Sequence, residues 1–185
     1  MQIRTATPND AEELLKIYAP YVENTAISFE YTVPTLNEFK ERIKNILSEY
    51  PYLVAIDNGK IIGYAYASHF KEREAYSHTV EVSIYIDRAE HGKGIGKSLY
   101  TELEKILASQ NVFIIYACIA IPDGHDEHLS DGSVKFHTKM GYHTVGRHNL
   151  CGYKFGKWYS MIWMEKVIMP RKDKPQPFRR FSELK

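Results

Sequence analysis

Gly92, Gly94 and Gly96, interleaved with Lys93 and Lys97 and followed by Ser98, lie between a strand and a helix. In the strand, Val80, Val82, Ile84 and Ile86 alternate with Glu81, Ser83 and Tyr85, a period of two that sends the two sets to opposite faces of a sheet. In the helix, Ile95, Leu99, Leu103, Ile106 and Leu107 recur at helical spacing. A glycine-rich turn feeding a helix start exposes unpaired backbone N–H groups at the positive end of the helix dipole. That makes an anion site, and phosphate is the usual anion. Neither familiar nucleotide loop fits: a Walker loop needs glycine where His91 stands, and the dinucleotide pattern begun at Gly92 needs it where Lys97 stands. Two readings remain, an anion cradle and a solvated helix cap, and the two lysines favour the anion.

The elements around this turn follow from local pattern. Gln2 to Ala6 predicts a first strand; Thr7 caps a helix with Pro8 at its first position, and Pro20 ends it. Tyr21 to Pro34 shows no period. Thr35 and Glu38 form a capping-box pattern ahead of a second helix with Leu36, Phe39, Ile43, Ile46 and Leu47 as its inner stripe. Tyr52 to Ile56 and Ile61 to Ala67 predict a hairpin about Asp57-Asn58-Gly59. Val112 to Ile121 is a nearly continuous apolar run, which predicts a strand covered on both faces. Ser133 to Met140 predicts a short helix stopped by Gly141, and Tyr142 to Arg147 and Trp158 to Lys166 two last strands around a Gly152–Gly156 loop. The order β-α-α-β-β-β-α-β-α-β-β predicts an α/β (α+β) chain, a mixed sheet with helices over it: one domain over 1–168, then a polar, basic, solvated tail over 169–185.

Composition narrows the function. A length of 185 residues suits one domain with a sizeable core, and a net charge of +1 gives no global argument for nucleic acid. Cys118 and Cys151 are far apart and in no metal-ligand spacing; Cys118 falls in the apolar run, so a buried free thiol and a reducing cytoplasm are expected. No apolar run approaches the roughly 20 residues of a membrane span, and the N-terminus lacks the apolar core of a signal peptide. His125 and His128, with Asp123 and Asp126, read as a solvated acidic loop, and no metal is expected.

The element order with its central strand, glycine turn and helix resembles the GNAT acetyltransferase fold, with a mostly antiparallel central sheet. His91-Gly92-Lys93-Gly94-Ile95-Gly96 resembles the acetyl-CoA pyrophosphate signature Q/R-x-x-G-x-G/A, His91 departing from its usual first residue. The stretches SFE (28–30), GYAYAS (63–68), FKEREAY (70–76), HTVEVSIYI (78–86), SVKFHTKMGY (133–142) and GYKFGKW (152–158) are similar to the phosphinothricin and methionine-sulfoximine acetyltransferase family. The resemblance runs from about Ile3 to Met164. It implies a homodimer that acetylates the α-amino group of amino acids or their analogues with acetyl-CoA as donor; the composition adds the expectation of a cytoplasmic protein with no nucleic-acid or membrane partner.

The resemblance also implies roles. Acetyl-CoA would lie along Ser83, Ile84, Tyr85 and Ile86, across His91, Gly92, Lys93, Gly94, Ile95, Gly96, Lys97 and Ser98, and beside Ser133; Ser130 stands where an asparagine commonly contacts the pantetheine arm. Glu81 occupies the place of the catalytic glutamate, where a partly buried carboxylate takes the proton that keeps an amine from attacking a thioester. Without the resemblance, Glu81 reads as a solvent-facing strand residue. A backbone N–H of Tyr85 or Ile86 would steady the charge on the carbonyl oxygen. His137 fits two readings, a group at the CoA sulfur and a structural histidine. Lys71, Arg73 and Tyr76 match the substrate loop, with Arg73 suited to a carboxylate. Phe29 would be an apolar wall and Glu30 a second carboxylate near the ammonium. Lys154, Phe155 and Trp158 match a final loop that closes over substrate, meets a second copy, or, for the aromatics, packs in the core. Two rivals share this frame: a GNAT enzyme for another amine (polyamine, aminoglycoside, protein N-terminus) and a non-catalytic acetyl-CoA-binding regulator.

Overall fold

A computed structural model describes residues 1–184. Seven strands form one sheet: β1 (Gln2–Thr5), β2 (Tyr52–Asp57), β3 (Lys60–His69), β4 (Thr79–Ile86), β5 (Ile114–Ile121), β6 (His143–Lys154) and β7 (Lys157–Val167). Their spatial order is β1-β2-β3-β4-β5-β7-β6, and every neighbouring pair is antiparallel except β4–β5. Four helices accompany it: α1 (Ala11–Asn24), α2 (Leu36–Glu49), α3 (Ile95–Ser109) and α4 (Gly132–Lys139).

The helices sort to the two faces by the alternation of β4. Val80, Val82, Ile84 and Ile86 belong to the core under α3, with Leu99, Leu103 and Leu107. Tyr85 belongs to the core under α1 and α2, with Tyr18, Tyr21, Phe39, Ile43, Tyr52 and Tyr64. α2 starts where the capping box predicts, the Thr35 amide donating to Glu38 Oε2 (2.7 Å) and the Glu38 amide to Thr35 Oγ1 (3.3 Å). The hairpin turn is also as predicted, with Asn58 and Gly59 at φ of 49° and 78°.

Four expectations change. Pro20 lies inside α1 rather than ending it, because Tyr21 and Val22 extend its buried face; the Thr25 hydroxyl then closes the helix end on the Tyr21 carbonyl (2.6 Å). The Gly152–Gly156 loop is mostly strand, since β6 runs on to Lys154 and turns through Phe155 and Gly156 alone, at φ of 50° and 73°. β5 is covered throughout on one face only: Ile115, Ala117 and Ile119 are buried there, whereas on the other face Ala120 is buried but Cys118 is exposed. Burial by its neighbours still desolvates the thiol and pushes its pKa up to about 12.

The fourth change is the C-terminal segment, which straps across the ends of α2 and α3. The Arg179 amide donates to the Gln110 carbonyl (3.0 Å), the Asn111 amide side chain to the Pro177 carbonyl (2.8 Å) and the Ser182 hydroxyl to the Ser48 carbonyl (3.1 Å). Buried Gln110 Nε2 joins the Glu49 and Arg179 carbonyls (2.7 and 2.8 Å), and the Phe178 ring sits 5.4 Å from that of Tyr50. Ending the chain at Gln176 removes all of these contacts except the Gln110–Glu49 bond and should lower thermal stability by about 2 kcal/mol, or about 4–8 °C in Tm. Thermal unfolding of the truncated chain checks it; an unchanged Tm would show that the strap adds nothing. Among the described residues no helix is long and apolar enough to cross a membrane.

Candidate active site

The parallel pairing of β4 and β5 lasts for three residue pairs, Thr79–Ile114, Val80–Ile115 and Glu81–Tyr116. Beyond Glu81 the sheet forks: β4 continues against β3 and β5 against β7. The Asp87 amide donates to the Ile62 carbonyl (2.9 Å). Strand alternation extends that set back along β4, so Tyr85, Ser83 and Glu81 turn their peptide groups toward β3, and Val82, Ile84 and Ile86 turn theirs into the fork. The amide of Tyr85, one of two expected at a developing oxyanion, is therefore used inside the sheet. The Ile86 carbonyl accepts from the Tyr21 hydroxyl (2.5 Å). Its amide, the Val82 carbonyl and both peptide groups of Ile84 remain as an open edge, which a linear ligand carrying amides can pair with as a strand would.

The glycine turn stands at the mouth of this fork. Gly92 and Gly94 have φ of 82° and 79°, where any side chain is strained. α3 begins at Ile95, so the amides of Ile95, Gly96 and Lys97 have no acceptor within the helix, while that of Ser98 reaches the Gly94 carbonyl (3.2 Å). A Cβ on Gly96 would lie 3.0 Å from the Phe136 ring and 3.4 Å from Ile84 Cδ1, so glycine there lets α3 approach both α4 and β4. Ile95 is buried and offers only its backbone. Lys93 pairs with Glu90 (2.7 Å). His91 does not reach toward an anion; its Nε2 lies 2.9 Å from the Tyr21 hydroxyl and fastens the turn to α1.

Glu81 sits where the fork begins, half-buried on the face opposite α3. Desolvation raises its carboxyl pKa above the ordinary value, and the nearby Lys71 ammonium opposes that. In register with it stand Ser68 on β3 and Tyr116 on β5. Phe70 stacks on Tyr116 (4.5 Å), with Trp163 edge-on at 5.5 Å and Lys71 over both the Phe70 and Trp163 rings. The result is an aromatic wall with a cation on it. Of the substrate-loop residues, Lys71 is thus brought to Glu81. Arg73 stands exposed, its carbonyl accepting from the Tyr76 amide, and Tyr76 packs its ring on Phe70 (5.7 Å).

The segment between α1 and α2 is held from across the sheet. Lys154 is buried, and its ammonium donates to the carbonyls of Val22 (2.7 Å), Thr25 (2.9 Å) and Ser28 (2.7 Å). The Phe29 ring lies against Gly152, where a Cβ would fall 2.3 Å from it. Glu30 does not stand free for a substrate ammonium: it pairs with Arg42 (2.8 Å) and accepts from the Tyr18 hydroxyl (3.0 Å). Lys154 is therefore a loop anchor rather than a lid. Its role was hidden in the sequence because its partners are more than a hundred residues away. Phe155 stacks on His128 (3.9 Å), and Trp158 is exposed rather than in the core. Asp126, in the same loop as His128, takes Lys157 (3.2 Å) and the Tyr159 hydroxyl (3.3 Å).

His137 lies inside the protein. Its Nδ1 donates to the Ser133 carbonyl (2.8 Å), its Nε2 faces the Tyr100 hydroxyl (3.0 Å), and burial draws its pKa down to about 4. It is a neutral ring that ties α4 to α3, with no nitrogen left for a ligand. Ser133 borders it, and the Ser130 hydroxyl accepts from the Gly132 amide (3.4 Å).

A family model described as "Acetyltransferase (GNAT) domain" matches residues 3–163. The phosphinothricin N-acetyltransferase of Streptomyces viridochromogenes is 31% identical over 185 residues, 100% of this chain and 96% of the relative. The L-methionine sulfoximine/L-methionine sulfone acetyltransferase of Salmonella typhimurium is 29% identical, covering 89% of this chain and 93% of the relative. Among solved structures, a GNAT superfamily phosphinothricin acetyltransferase from Sinorhizobium meliloti in complex with AcCoA superposes with a TM-score of 0.83. It is 31% identical and covers 97% of each chain.

Proposed function

This chain belongs to the GNAT acetyltransferase family, and from that premise we propose that it transfers acetyl from acetyl-CoA to the α-amino group of an amino acid or a close analogue. Phosphinothricin and methionine sulfoximine or sulfone are the acceptors named for its relatives. The observation that carries this reading is Glu81 at the base of the fork, between an open strand edge with an anion turn on one side and an aromatic wall with Lys71 on the other.

The residues of the fork fit acetyl-CoA. The amides of Ile95, Gly96 and Lys97 suit its pyrophosphate, and the open edge of Val82 and Ile84 suits the amides of its pantetheine arm. Bound there, it supplies an already activated thioester. Glu81 takes one proton from the ammonium of the acceptor, directly or through a water. The freed nitrogen bonds to the acetyl carbon as the carbon–sulfur bond breaks, and the nitrogen's surplus proton passes to the thiolate. The Ile86 amide faces the fork, as a donor to the carbonyl oxygen must. Lys71 and Arg73 hold the acceptor carboxylate, and His137 acts by positioning α4. Two copies of the chain meet along β6, an edge strand with exposed Val145, Leu150 and Tyr153.

Release of CoA thiol from acetyl-CoA, measured against methionine sulfoximine, methionine sulfone, phosphinothricin, common amino acids, spermidine and an aminoglycoside, tests the reading. Turnover should be confined to the carboxylate-bearing amines. Arg73→Ala should raise the KM for them by about 10-fold, as loss of an exposed charge-assisted bond does. Turnover of spermidine alone would overturn the acceptor assignment; acetyl-CoA binding without turnover on any amine would overturn the enzymatic one.

A further inference from the structure

We propose that a cavity between α1, α2 and the sheet is the subsite for the acceptor's side chain, selecting amino acids with long side chains that end in a hydrogen-bond acceptor. The inference rests on the acceptor assignment above and adds the place where the side chain is read. The cavity has a volume of about 280 Å³. Its floor is a carpet of phenol rings, Tyr52, Tyr64, Tyr66 and Tyr85, and α2 supplies Arg42 and Asn45. Tyr52 stacks on Tyr66 at 4.9 Å and on Tyr64 at 5.6 Å, so the floor is rigid.

Register places this cavity relative to Glu81. On β3, Ser68 stands opposite Glu81, Tyr66 opposite Ser83 and Tyr64 opposite Tyr85. All six side chains project from one face, and each two-residue step along a strand is about 6.6 Å. Tyr66, the lining residue nearest Glu81 in register, therefore stands about one such step from the carboxylate. Lys71 follows the end of β3 and so lies beyond Glu81 in the opposite direction. An amino acid with its amine at Glu81 and its carboxylate toward Lys71 has its side chain directed away from Lys71, toward Tyr66 and Ser83. A side chain of about four to six heavy atoms spans that step; those of glycine and alanine do not reach it.

The lining sets the chemistry. Ring faces accommodate an aliphatic stem. Arg42, 46% exposed and paired with Glu30 at 2.8 Å, offers guanidinium donors, and Asn45 an amide, to an oxygen-bearing terminus. A terminal ammonium carries no acceptor for these donors. Glutamine and methionine sulfone fit these walls; lysine does not.

The test is Asn45→Trp, which plugs the cavity from an exposed position on α2 outside the catalytic machinery. We expect kcat/KM for methionine sulfone and glutamine to fall by about 10–200-fold, as misfit in a side-chain pocket does. For alanine, kcat/KM should change less than about 2-fold, with the KM for acetyl-CoA unchanged, since surface substitutions shift little else. Asn45→Leu, a smaller plug, should give the same ordering with a smaller loss. Equal loss on short and long acceptors, or none on either, overturns the subsite while leaving the acceptor assignment standing. A wild-type protein that acetylates none of these amino acids overturns both.

Discussion

Glu81→Gln should lower turnover of an amino-acid acceptor by about 10²–10⁴-fold, the range of a positioned general base, with acetyl-CoA bound as before. The separation is expected because Glu81 points to the face opposite α3, while the anion turn and open strand edge belong to the backbone of Ile95–Lys97 and of Val82–Ile86. Two pH measurements make the prediction sharper. Desolvation raises the Glu81 carboxyl pKa, so kcat/KM for the acceptor should rise with pH through a value above that of a free glutamate. The glutamine variant should lose that limb. Its residual rate should climb steadily toward alkaline pH, as the free amine fraction grows without help from a base. Wild-type rates with no such limb, or a variant as fast as the parent, would remove Glu81 from the chemistry.

Stability should move the other way, and the sign follows from the same shift. Between the unfolded pKa of a glutamate and the raised folded value, the folded chain holds a proton that the unfolded chain has released. Stability therefore falls as pH rises through that window, and glutamine removes the effect. At neutral pH Glu81→Gln should unfold at the same temperature as the parent or a higher one. A variant that is both slower and no less stable separates a catalytic carboxylate from a structural one.

What could be read in the sequence was local. The β4 alternation, the glycines before α3 and the Thr35–Glu38 box each depend on neighbours within a few residues, and each stands where its pattern puts it. The fork is different. It exists because the pairing of β4 with β5 stops at Glu81–Tyr116, across 35 residues of chain, and nothing in either strand alone says where it stops. The apolar run of β5 predicts cover on both faces because composition does not reveal that one face stays open around Cys118. The C-terminal segment looked like a solvated tail for the same reason: its polar composition hides Phe178 and the backbone groups that Gln110 and Asn111 collect. The resemblance placed Glu81, but not the Arg42 and Tyr18 contacts that occupy Glu30.

The contact furthest from any sequence pattern gives the second large effect. Lys154→Met should destabilise the protein by about 3–5 kcal/mol, somewhat over 1 kcal/mol for each of three buried carbonyls left without a donor, and lower Tm by roughly 10 °C or more. Burial draws the Lys154 pKa down and Glu30 opposes it; the carbonyls of Val22, Thr25 and Ser28 replace the water the ammonium has lost. A thioether fills similar space but donates nothing, leaving three carbonyls without a partner. The damage should be local. Amide exchange should quicken in residues 22–30 before the rest of the sheet, and the acceptor KM should rise while the acetyl-CoA KM holds, because the fork and the glycine turn do not touch Lys154. Gly152→Ala probes the same joint from its other side. Its added Cβ falls 2.3 Å from the Phe29 ring, so Phe29 must leave its seat on β6. That change should raise the acceptor KM with a smaller stability loss of about 1–3 kcal/mol, as overpacking does. Equal loss of acceptor and acetyl-CoA affinity in both variants would mean that this joint supports the fold as a whole rather than the acceptor loop.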